Sequence, residues 1–198
     1  MITTFLFDLG GVLFTNGTKI FVHQLSTAYD IAEEKVKDVL DGDIGSQYRE
    51  AKITRDMFWR QVKESLNIKE ETSVLEKQWI DGYELISGTK QIIEELAKKY
   101  KVFYLSDNVK ERVNALDKKF DFKKLFLGGI FSHEVGVRKP DPKIYEYALS
   151  VSGSLPNETV FIDDKQKMLD PAAKIGMKTI LFTSPKDLKD SLVKMGIF

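Results

Sequence analysis

Residues 5–14 read FLFDLGGVLF, an apolar run interrupted by one carboxylate, Asp8, and then by two glycines, Gly10 and Gly11. A lone acid at the end of a buried strand costs free energy unless it is used, so Asp8 points to a site rather than to a turn. The strand itself, TTFLFDL, has the near-continuous apolar character of a strand covered on both faces.

The chain beyond residue 88 explains what covers it. GTKQIIEELAKKY places Ile92, Ile93, Leu96 and Tyr100 on one helical face, and KVFYLS then reads as a short buried strand. The alternation continues with a helix carrying Val109, Val113, Leu116 and Phe120, the strand GGIFS, and a helix capped by Asp141 with Pro142 at its first position. TVFID, KMLDPAAKIG, MKTILF and SPKDLKDSLVKMG then read as strand, helix, strand and helix, with Pro171 a possible kink and Gly176 a stop. Strands separated by helices predict right-handed crossovers and a parallel sheet.

Residues 15–88 break that rhythm. IFVHQLSTAYD, AEEKVKDVLDG, TRDMFWRQVKESL and SVLEKQWIDGYELI carry apolar residues at helical spacing and contain no convincing strand. The expected organisation is therefore an α/β core from residues 1–14 and 89–198, with residues 15–88 as an inserted all-helical subdomain. Glycines near Asn16-Gly17 and Ser87-Gly88 mark joints where a lid could hinge. The insert holds 10 Lys+Arg against 14 Asp+Glu and the remainder 20 against 16, so an anion would prefer the core side.

The bulk composition narrows the function. With 42% hydrophobic and 30% charged residues, the 198-residue chain is ordinary globular material. The 30 basic residues balance the 30 acidic ones, which argues against nucleic acid or an anionic membrane as partner. The absence of cysteine excludes a disulfide framework and a thiolate metal site. MITTFLFDLG lacks a basic n-region, and no apolar stretch approaches a membrane span. A soluble cytoplasmic protein is expected, a monomer or small homo-oligomer.

In open α/β sheets ligands bind at the carboxyl ends of the strands. Collected there are Asp8; Ser106, Asp107 and Asn108; Arg138 and Lys139; and Asp163 with Asp164. The set supplies a nucleophile, a hydroxyl, cations and hard oxygen ligands suited to Mg²⁺. Phosphoryl chemistry needs that combination, because the developing oxyanions require positive charge and oriented donors.

These residues carry a resemblance. FDLGGVL is similar to the first motif of the haloacid dehalogenase superfamily, LSDN to its second, RKPDPKIY to its third and FIDD to its fourth, in the family's order. The resemblance spans essentially the whole chain and implies a Rossmann-like core with a helical cap inserted after the first strand. It implies a Mg²⁺-dependent phosphatase of a small phosphorylated metabolite, for example a sugar phosphate, working through an aspartyl-phosphate. Carried over, Asp8 is the nucleophile, Ser106 binds the phosphoryl group, and Lys139 pairs with both. Asp107 and Asn108 join the substrate-binding set, and Asp8, the Gly10 carbonyl, Asp163 and Asp164 hold the metal.

Gly10 departs from the pattern. Phosphatases of the family usually carry a second Asp there, which protonates the leaving group and activates water. Positioned acid–base catalysis is worth about 10²–10⁴ in rate, so Gly10 keeps the carbonyl and forfeits a large term. Two alternatives follow: a non-phosphatase relative (phosphonate hydrolase or dehalogenase), or a catalytically weak phosphate-ligand-binding protein. Asp163-Asp164 speak against the dehalogenase, which by resemblance uses no metal. A phosphonate hydrolase would need a Schiff-base lysine, for which Lys19, Lys35, Lys37 and Lys52 are available. Phe58, Trp59 and Trp79 read as core packing, and His23, His133 and Arg49 as structural or surface residues.

Overall fold

The computed structural model describes residues 1–198. Five strands, β1 (Thr4–Phe7), β2 (Lys101–Ser106), β3 (Gly128–Phe131), β4 (Thr159–Asp163) and β5 (Lys178–Leu181), form one parallel sheet in the order β3-β2-β1-β4-β5. The central strand β1 and its neighbour β4 are buried along their whole length, as their unbroken apolar character requires.

Side-chain alternation along these strands divides the apolar interior into two layers. Phe5, Phe7, Val160 and Ile162 point to one face and Leu6 and Phe161 to the other. The second face is covered by Ile144, Tyr145 and Ala148 of a helix over Pro142–Ser152, and by Met168, Leu169 and Ala172 of a helix over Gln166–Lys174. The first face carries helices over Ser87–Leu96, Lys110–Phe120 and Pro185–Lys194, and its apolar cluster of 37 buried residues continues without a break into the segment between β1 and β2.

In chain order the helices are α1 (Gly17–Tyr29), α2 (Glu33–Asp41), α3 (Asp43–Arg49), α4 (Arg55–Leu66), α5 (Thr72–Asp81), α6 (Ser87–Leu96), α7 (Lys110–Phe120), the short α8 (Ser132–Val135), α9 (Pro142–Ser152), α10 (Gln166–Lys174) and α11 (Pro185–Lys194). No helix is long and apolar enough to cross a membrane. Asn16, Thr54, Asp141 and Ser184 cap α1, α4, α9 and α11 through side-chain oxygens, and Pro142 and Pro185 begin the last two. Phe58, Trp59 and Trp79 are at most 3% exposed and pack with Phe21 and Tyr48, Phe21 stacking on Trp79.

The structure departs from the sequence reading in three places. Residues 43–49 form α3, which Gly45 had obscured; a Cβ there would run into the Leu40 carbonyl. The helix expected to reach Ile86 ends at Asp81, because residues 82–86 pair with the opposite linker instead. Thr15 N donates to Glu84 O at 2.9 Å, Ile86 N donates to Leu13 O at 2.8 Å, and Phe14 and Leu85 form an antiparallel bridge. The expected glycine hinges are packing positions. Gly17 lies in α1 against the Tyr83 ring, and Gly88 lies in α6, where a Cβ would approach Pro185 Cβ to 2.8 Å. Both glycines allow close approach rather than supply torsional freedom.

Candidate active site

The sheet order reverses direction between β1 and β4, and the crevice at that switch point is where the charged residues gather. Phe7 pairs with Ile162, so the next residues, Asp8 and Asp163, emerge side by side, and Asp8 N donates to Ile162 O at 2.9 Å. Asp164 follows on the same edge. Carboxylate oxygens of Asp8, Asp163 and Asp164 lie within 4.8 Å of one another.

Lys139 enters this group from the loop before α9. Its Nζ lies 3.0 Å from Asp8 Oδ1 and 2.6 Å from Asp163 Oδ2, and it donates to Leu105 O at 3.1 Å. Burial opposes the ammonium, but Asp163, Asp8 and Asp107 outweigh it and hold the Lys139 pKa above its ordinary value. Asp163 is pushed up to about 6 by burial, against the pull of Lys139, and Asp8 adds to the rise. Burial and the same Asp8 charge also raise Asp164.

Three carboxylates facing one ammonium leave a surplus of negative charge in a buried space, and Asp164 Oδ1 is buried with no hydrogen-bond partner. A hard divalent cation answers both conditions, so these residues fit Mg²⁺. Leu9 O accepts from Val12, Leu13 and Phe14 N, which folds residues 9–14 tightly. Gly11 has φ +91°, and a Cβ there would run into the Asp164 carboxylate. Gly10 differs: a Cβ there would meet nothing within 4 Å.

Ser106, 2% exposed, ends β2 and faces the same crevice. The next two residues have their side chains engaged within the protein. Asp107 accepts from Lys139 N at 3.0 Å and from Arg138 Nε at 3.3 Å, so it fixes the loop that delivers the lysine. Asn108 Oδ1 accepts from Val109 N at 3.0 Å, and its carbonyl is hydrogen-bonded by Ser132 Oγ and His133 Nδ1. Arg138 also reaches α3, donating to Ser46 Oγ at 2.7 Å.

These residues floor a cavity of about 700 Å³ whose lining is mostly polar and charged. Asn16, Thr18, Lys19, Lys37 and Arg49 face it from the inserted helices, and Arg112 from α7. Lys35, Lys52, His23 and His133 do not line it; His23 is exposed and paired with Glu33 at 2.6 Å. Sequence reading missed Arg112, Asp41 and Lys165. Arg112 had one available signal, its place one helical turn after Asn108.

The chain is similar in sequence and fold to known proteins. The chain is 25% identical over 186 residues to sesquiterpene phosphatase astK of Aspergillus oryzae, covering 89% of each protein. It is 22% identical over 204 residues to D-ribitol-5-phosphate phosphatase of Bacteroides thetaiotaomicron, covering 97% of each. Its fold superposes with a TM-score of 0.80 on a HAD family enzyme of Bacteroides thetaiotaomicron crystallised with magnesium and inorganic phosphate, at 24% identity, covering 93% of this chain and 96% of that one. The sequence model of the haloacid dehalogenase-like hydrolases matches residues 2–176, and with the four strand-end motifs on one sheet edge, the chain belongs to that family.

Proposed function

We propose that the protein is a Mg²⁺-dependent phosphatase of a small, polar phosphorylated metabolite, with residues 15–88 acting as the cap over residues 1–14 and 89–198. The observation that carries this reading is the Lys139 ammonium held between Asp8 and Asp163, with the unpartnered Asp164 oxygen alongside. The two relatives are named as phosphatases and the structural neighbour holds magnesium and phosphate, which supports the same chemistry. The polar and charged side chains around the cavity offer hydrogen-bond partners to a hydroxyl-bearing substrate.

Asp8 attacks phosphorus in line with the departing alkoxide, forming an aspartyl-phosphate that water then hydrolyses. Ser106 donates its hydroxyl to a non-bridging phosphoryl oxygen. Lys139 neutralises charge shared between Asp8 and the phosphoryl oxygens, and Asp107 holds its backbone in register. Asp8, Asp163, Asp164 and the Gly10 carbonyl would hold Mg²⁺, which when bound offsets the charge of the phosphoryl group and of the carboxylates. Gly10 cannot protonate the leaving group, so the reaction favours esters whose oxygen departs as a stable anion.

Phosphate release from p-nitrophenyl phosphate and a set of sugar phosphates, with Mg²⁺ and with a chelator, tests the reading. Turnover that requires Mg²⁺ supports it. Absence of turnover on every phosphomonoester, or turnover indifferent to the chelator, overturns it.

A further inference from the structure

Arg112 is 7% exposed, lines the active-site cavity, and has no carboxylate within 4 Å. Its guanidinium lies 3.8 Å over the Trp79 ring of α5, and its one hydrogen bond, to Asn108 Oδ1, is long at 3.5 Å. The nearby acids on the far side are taken: Glu76 by Arg55 and Trp59 Nε1, Glu111 by the Tyr48 hydroxyl. A buried guanidinium without a counter-ion is strongly unfavourable, as when one partner of a buried ion pair is removed.

The surroundings deepen the imbalance. Arg49, 5% exposed, and Arg138 stand close enough for their charges to act on one another, and both reach toward the single carboxylate of Asp41, at 3.2 Å and 3.8 Å. Arg138 has Asp107 as well. Arg49 and Arg138 thus share Asp41, and neither carboxylate reaches Arg112. Lys19, Lys37, Lys165 and Lys167 border the same cavity, exposed and without ion-pair partners, and outnumber the exposed Glu33 and Glu34 there, so the rim favours anions.

We propose that Arg112 is a specificity residue that binds a second oxyanion, so that the substrate is a phosphomonoester carrying a further carboxylate or phosphate. This rests on the phosphatase reading for the site of cleavage: the scissile phosphoryl group sits at Asp8 and Lys139, and the second anion sits at the α5–α7 side of the cavity. Trp79 packs against the guanidinium, whose N–H groups make only the long bond to Asn108 Oδ1 and so have capacity for paired hydrogen bonds to a carboxylate or phosphate.

The test compares ligands matched in all but the second charge: 6-phosphogluconate against glucitol 6-phosphate, 3-phosphoglycerate against glycerol 3-phosphate, and fructose 1,6-bisphosphate against fructose 1-phosphate. Affinity is measured by calorimetry on Asp8→Asn protein with Mg²⁺, so that turnover is not needed, and kcat/KM on the wild type. At least one pair should favour the member with the second anionic group tenfold or more, and which pair does so distinguishes carboxylate from phosphate and sets the spacing. The ratio should fall to within threefold of unity in Arg112→Met, and Arg112→Lys should retain part of it. Circular dichroism checks both variants for folding. No preference in any wild-type pair overturns the proposal without recourse to a variant, and a preference undiminished in folded Arg112→Met removes Arg112 from it. Discriminating affinity in a protein that hydrolyses none of these esters would sink the phosphatase reading and leave the second oxyanion site standing.

Discussion

Lys139 Nζ lies 2.6 Å from Asp163 Oδ2, and the two side chains are 3% and 1% exposed. A pair so deeply buried serves two purposes at once: it compensates charge in the folded protein and it places a cation where phosphoryl oxygens gather.

Lys139→Met should separate those purposes. Breaking a buried pair typically costs about 3–5 kcal/mol, so metal-free protein should lose on the order of 10 °C in Tm. Turnover should fall at least about a hundredfold, as for other groups that stabilise transition-state oxyanions. Adding Asp163→Asn should recover part of the Tm and none of the activity. Turnover within tenfold of wild type would reduce Lys139 to a structural counter-ion.

Asp8→Asn should leave the metal-free fold intact, since Lys139 keeps Asp163 as its partner, while abolishing turnover because an amide does not attack phosphorus. Trapping of phosphate on wild type and its absence from the variant, read by mass spectrometry after acid quench, would identify the nucleophile. A loss smaller than about tenfold would place the nucleophile elsewhere.

Activity should vanish with a chelator and return with Mg²⁺, and Asp164→Ala should raise the Mg²⁺ concentration required. The pH dependence has a definite sign. Asp163 is pushed up to about 6 in the folded state, above the ordinary carboxylate value, so the folded protein binds that proton more tightly than the unfolded chain. The resulting stabilisation is present in acid and is lost as pH rises through 6. Mg²⁺ competes for the ionised carboxylate, so the Tm increase at saturating Mg²⁺ should be larger near pH 7.5 than near pH 5. An increment independent of pH would contradict the assignment of Asp163 as a ligand.

Gly10→Asp should fold and bind Mg²⁺ normally, because a Cβ there meets nothing within 4 Å and the backbone is outside the left-handed region. Wild type should depend steeply on leaving-group pKa, and the variant should flatten that slope by accelerating alkyl phosphates more than p-nitrophenyl phosphate. Gly11→Ala should behave in the opposite way, losing stability and Mg²⁺ affinity, since φ is +91° and the added carbon strikes the Asp164 carboxylate. An unchanged slope in a folded, Mg²⁺-binding Gly10→Asp protein would refute the missing-acid reading.

The sheet was legible because β1 and β4 are buried on both faces and therefore carry unbroken apolar runs that end in acids. The convergence of the candidate site on one sheet edge was legible for the same reason: Asp8, Ser106 and Asp163 lie at or just beyond strand ends that the apolar pattern marks. Arg112 was not. Helical periodicity assigns Val109, Val113 and Leu116 to the core and leaves Arg112 on the flank, where the Trp79 ring of α5 packs over its guanidinium. The engagement of Asp107 with Lys139 N was equally hidden, since it joins residues 32 positions apart. Local spacing carries no record of such contacts.

The apolar cluster that runs from Phe5 and Ile162 through Phe14 and Phe21 to Trp59 and Trp79 joins the sheet and the helices between β1 and β2 in one interior, so they should unfold together. Both tryptophans of the chain lie among the inserted helices, yet their fluorescence should report the melting of the sheet as well, with a midpoint coincident with that of far-ultraviolet circular dichroism. A chimera that exchanged residues 15–88 for a foreign helical segment would cut through that shared interior, so exchange of function by transplanting the insert would have to carry Phe14, Phe120 and Phe122 with it.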